Sequence, residues 1–77
     1  MFINNRQYKE AARHFHLSHM NDPQNVQILL QLGVAYEKLG RNDEALQSYN
    51  KVLEVDKLNR IAKQKVDLLT YGHTVPE

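Results

Sequence analysis

The stretch LLQLGVAYEKLGRNDEALQSY, residues 29–49, sets two glycines, Gly33 and Gly40, among residues that otherwise favour helix. Glycine in a helix interior costs about 1 kcal/mol relative to alanine, so its retention at Gly33 points to a place where another helix comes close. Gly40 follows the last apolar position of its run, where a helix commonly ends in a left-handed residue. The first glycine therefore reads as a contact and the second as a reversal. Ala45, small like Gly33, is expected to face it across two antiparallel helices, with Leu32, Tyr36 and Tyr49 filling the space around them. A residue of leucine size at Gly33 would splay such a pair.

Outward from this stretch, proline and glycine divide the chain into four helical runs. The first extends from Arg6 to Met20 and is closed by Asn21-Asp22-Pro23, because proline cannot continue a helix and biases the residue before it away from helical geometry. The second extends from Val26 to Leu39, with Asn25 placed to cap its first amides. A third begins at Asn42, whose side chain is expected to cap while Asp43 and Glu44 favour the positive end of the dipole, and it runs to Val55. The fourth follows Asn59 and fades near Tyr71. β-Branched residues nowhere alternate over a strand-length window, so the expected fold class is all-α.

The chain repeats itself at a spacing of 34 residues. Glu10 and Ala11 recur as Glu44 and Ala45, Phe15 as Tyr49, Asp22 as Asp56 and Asn25 as Asn59. Phe2 corresponds to Tyr36, Leu32 to Val66 and Val34 to Leu68. The matches fall at small, aromatic and capping positions, where a packed helix pair is most constrained. A helical wheel shows why a repeat is needed. At about 100° per residue, Leu29, Leu32, Gly33 and Tyr36 form one stripe, Ile28, Ala35 and Leu39 a second, and Leu30 with Val34 a third on the far flank. A helix so apolar in so short a chain requires helices on both sides.

On these residues the segment Val26 to Asn59 resembles one complete tetratricopeptide repeat. It carries Leu32, Gly33, Tyr36, Gly40, Ala45, Tyr49 and Val52 at the spacing of that motif. Residues 1–25 resemble the end of the first helix and all of the second helix of a preceding repeat, through Phe2, Ala11, Phe15, Ser18 and Pro23. Residues 60–77 resemble the first helix of a following repeat, or a capping helix, with a tail. Four positions depart from the pattern: Leu29 stands where an aromatic is common, Lys57 where proline usually closes the repeat, and Arg6 and Asp67 where glycine or a small residue is preferred. The resemblance implies antiparallel helix-turn-helix units of an α-solenoid.

It also implies a protein-binding scaffold in which first helices line a concave groove for a peptide or partner helix. Carried onto this sequence, the groove residues are Gln27, Leu30, Gln31, Val34, Glu37 and Lys38 from the second helix and Ile61, Gln64, Lys65 and Leu68 from the fourth. A subclass of the family grips a terminal carboxylate with asparagine and lysine. Leu30 and Val34 stand in two of those places, so an apolar centre with a polar rim is expected instead. The alternative for both residues is contact with the fourth helix or the tail. A solenoid needs about three repeats. The apolar edge of Phe2, Tyr8, Ala12 and Phe15 is therefore expected to associate with the rest of a longer array or with a second copy. A purely structural assembly segment is the competing reading.

Composition narrows the classes further. A chain of 77 residues, 42% hydrophobic and 25% charged, reads as one soluble domain, with no apolar run long enough to cross a bilayer. Ten Lys and Arg interleave with nine acids for a net charge of +1, which weighs against nucleic acid as the main ligand. Cysteine is absent and no signal peptide opens the sequence, so an intracellular, cytoplasmic location is expected. His14, His16 and His19 offer imidazoles, but His14 points away from the other two and no carboxylate completes a metal-binding spacing. No nucleophile with a base, no phosphate loop and no paired acids stand out, so neither catalysis nor a cofactor or metal is expected.

Overall fold

In the computed structural model, which describes residues 5–71, the chain forms four helices: α1 (Asn5–Asn21), α2 (Val26–Lys38), α3 (Asn42–Val55) and α4 (Arg60–Tyr71). Phe2 and the tail beyond Tyr71 lie outside the described residues. Connections of three or four residues force each helix to fold back on the one before it, so α1 packs on α2, α2 on α3 and α3 on α4.

The 34-residue repeat is visible atom by atom in two of these connections. Between α1 and α2, the Asn25 amide donates to the Asp22 carbonyl at 3.1 Å, Asn25 Nδ2 donates to Asp22 Oδ2 at 3.0 Å, and Asn25 Oδ1 accepts from the Ile28 amide at 3.2 Å. Between α3 and α4, Asn59 makes the same three bonds, to the Asp56 carbonyl at 3.1 Å, to Asp56 Oδ2 at 3.4 Å and from the Ala62 amide at 2.8 Å. Each asparagine satisfies one of the unpaired amides at the start of the helix after it. The turn geometry follows from Asp and Asn at fixed offsets; Pro23 and Lys57, which differ, sit between them.

The α2–α3 connection is of another kind. Gly40 adopts φ of 79°, the left-handed conformation, and the Arg41 amide returns to the Tyr36 carbonyl at 2.9 Å. Asn42 is not the cap of α3. Arg41 occupies that position without a side-chain bond, and Asn42 lies within the first turn, because the left-handed glycine closes the reversal one residue earlier.

The stripes of α2 separate into two cores. Leu29 packs with Ala45, Tyr49 and Val52 of α3 and Ala62 of α4; Leu32 and Ala35 pack with Ala12 of α1. Tyr36 reaches both. Burying a side chain the size of Leu29 contributes about 1.5–3 kcal/mol, so α2 is the strut that both flanks lean on. The close approach at Gly33 is real, and the atoms nearest to it belong to Tyr49, not Ala45: a Cβ at position 33 would stand 2.6 Å from two atoms of the Tyr49 ring. The Tyr49 ring lies flush on the bare backbone of α2.

Candidate functional site

Between α1, α2 and the start of α4 lies a cavity of about 420 Å³. Its walls are Tyr8, Ala11 and Phe15 of α1, Gln27, Leu30, Gln31, Val34 and Ala35 of α2, and Ile61 of α4. None of these side chains is charged, and the two glutamines are the polar rim. Five residues named from the sequence as groove residues thus meet there, and Tyr8 and Phe15, named as an association edge, form the opposite wall of the same groove. The two expectations describe one surface.

The other named residues distribute differently. Val34 belongs to neither core and is 37% exposed, so it faces the cavity and solvent. Leu30 does two things, packing against the core that contains Ala62 while also lining the cavity. Ala12 is 6% exposed, buried against Leu32 and Ala35, and does not line this cavity with Tyr8 and Phe15. Gln64, Leu68 and Lys38 are exposed but do not line the cavity.

Glu37 and Lys65 are held inside the chain. The Tyr49 hydroxyl donates a hydrogen bond to the Glu37 carboxylate, and Lys65 Nζ lies 3.4 Å from Glu37 Oε2. One residue from each of α2, α3 and α4 is tied at this point. Burial, the hydrogen bond to Glu37 and the Glu37 charge all raise the Tyr49 pKa above the ordinary 10.0, so the hydroxyl stays a donor. Tyr36 is raised more simply, by burial and by Glu44, against an opposing pull from Arg41. Among the described residues, no three His, Asp or Glu side chains come close enough together to hold a metal ion.

Residues 26–57 match the model of the tetratricopeptide repeat family. The chain carries a tetratricopeptide repeat. The match spans α2, the glycine reversal and α3, the pair locked by Gly33 and Tyr49, and leaves α1 and α4 as its flanks. Tetratricopeptide repeats serve protein–protein interaction and are typically not enzymes. No curated protein and no solved structure matches the chain. No helix among the described residues is long and apolar enough to cross a membrane.

Proposed function

We propose that this chain is a segment of a protein-interaction scaffold and that the uncharged groove between α1 and α2 receives the apolar face of a partner helix. The observation that supports this reading is the groove itself: tyrosine, phenylalanine, leucine, valine and isoleucine facing one open space of about 420 Å³ with no charged side chain among its walls. An apolar pocket with a glutamine rim is the surface an amphipathic helix fills.

The chain's own repeat describes the occupant. Ala45 and Tyr49 of α3 are fully buried, with the Tyr49 ring on α2, and the residues 34 positions earlier are Ala11 and Phe15, which line the groove half-buried. What fits there by the same geometry is a helix like α2, with a small residue over the Phe15 ring where Gly33 lies over Tyr49. The register also weighs against a second copy docking through α4. The α4 residue equivalent to Gly33 is Asp67, and its side chain would meet Phe15 where not even a Cβ fits over Tyr49.

A synthetic peptide of residues 26–38 is the probe, titrated into the isotope-labelled chain and followed by amide chemical shifts. Shifts at Tyr8, Phe15, Leu30 and Val34, lost when the peptide's glycine is replaced by leucine and weakened by Val34→Glu in the protein, are expected. Equal binding by the leucine peptide would remove the proposed packing, and loss of the helical fold in Val34→Glu would make Val34 a core residue.

A further inference from the structure

The opposite side of α1 carries a different chemistry. Arg6, Lys9 and Arg13 recur at the spacing that keeps residues on one face of a helix, and His16 continues the row. The glycine reversal after α2 brings Arg41 to the same place, so that Arg6, Lys9, Arg13 and Arg41 enclose a cleft of about 460 Å³ over Ala12 and Leu39. Four of the chain's ten Lys and Arg side chains gather there with one acid, Glu10. Arg41 lies 3.8 Å from Glu44 in an exposed pair, and among the described residues Arg6, Lys9 and Arg13 have no carboxylate within 4.0 Å. Near Arg41, the Ala35, Tyr36 and Glu37 carbonyls at the end of α2 accept from the amides of Leu39, Gly40 and Arg41.

We infer that this cleft is a second docking site, which binds an acidic segment of a protein partner. Four cations that outnumber the acids beside them repel one another until an anion arrives, and the anion's carboxylates gain from several cations at once. The dimensions suit a peptide. Arg6 and Arg13 are separated by about 10 Å along the helix, which is the length of about three residues of extended chain. Carboxylates on alternate residues of such a segment point to one side and reach the arginines, while its backbone lies on the apolar floor. Nucleic acid fits less well: the cleft is short, and its one tyrosine, Tyr36, is partly buried against both cores, which is no run of aromatic platforms for successive bases.

A short glutamate-rich peptide, its glutamine-substituted twin and single-stranded DNA of equal charge serve as probes, titrated into the intact chain and followed by amide chemical shifts. The acidic peptide is expected to shift Arg6, Lys9, Arg13 and Arg41. Binding should weaken by on the order of tenfold with Lys9→Glu and Arg13→Glu together. Glu10→Gln should tighten it about two- to threefold, a gain that no damaged fold would give. Charge reversal of Lys51 and Lys63, outside the cleft, should leave it unchanged. So should Val34→Glu, which separates this site from the apolar groove. The inference fails if the glutamine twin binds as well, if reversing Lys51 and Lys63 weakens binding as much, or if DNA binds more tightly than the peptide.

Discussion

Replacing Gly33 with alanine sets two physical effects against each other with opposite signs. Helix propensity alone favours alanine by about 1 kcal/mol at an interior position. Packing opposes it, because the new Cβ would lie 2.6 Å from the Tyr49 ring. A flexible side chain could swing away, but Tyr49 is fully buried and its hydroxyl is bound to Glu37, so either the ring is forced off its rotamer or the α2–α3 pair opens. Overpacking of this kind costs about 1–3 kcal/mol, and against the propensity gain the expected net loss is about 1 kcal/mol. In a domain of this size that lowers the melting temperature by about 4–8 °C, which thermal unfolding followed by circular dichroism resolves readily. The cycle is completed with Tyr49→Leu. If the ring is what the Cβ strikes, Gly33→Ala should be neutral or stabilising in that background, and the coupling measures the clash. A Gly33→Ala chain that melts at or above the parent temperature would refute the close contact and leave Gly33 an ordinary tolerated glycine.

Two further outcomes follow from the polar contacts. Tyr49→Phe removes the donor to Glu37 and should cost about 1.5–3 kcal/mol in urea unfolding, since the acceptor is charged. With the Tyr49 pKa raised in the folded chain, the unfolded chain loses its phenolic proton first. Stability is therefore intact below pH 10 and falls above it by about 1.4 kcal/mol per pH unit for each such tyrosine; Tyr49→Phe should make that alkaline fall shallower. Asn59→Ala removes the bond from the Ala62 amide, and a loss of about 0.5–2 kcal/mol with faster hydrogen exchange in the first turn of α4 is expected.

The fold was legible because its punctuation is local. Asn25, Pro23, Gly40 and Asn59 act within three or four residues of themselves, so the four helices could be placed from the sequence within a residue or so of their observed ends. Asn42 misled because two neighbouring residues could both begin α3, and the choice fell to the glycine reversal, whose exact closing residue is a matter of backbone angles. Gly33 was recognised as a contact yet given Ala45 as its partner. A helical wheel fixes direction but not height, and Ala45 and Tyr49 lie one turn apart on the same face of α3. Leu30 and Val34 share a flank on the wheel, and only the position of α4 separates the one that packs from the one that stays open. The basic cleft escaped a reading along the chain for a related reason: Arg41 is far from Arg6 in sequence, and acids that intervene in the sequence, such as Asp43, are not in the cleft.

The tie among Tyr49, Glu37 and Lys65 fixes α2, α3 and α4 to one another, whereas α1 rests on α2 through apolar packing alone in that core, with Ala12 buried against Leu32 and Ala35 and Ala11 and Phe15 beside it. Along α1, Ala12 lies between the row that faces the apolar groove and the row that faces the basic cleft. Any coupling between ligands on opposite faces of α1 must run through that packing and must be reciprocal, each ligand changing the other's affinity by the same factor.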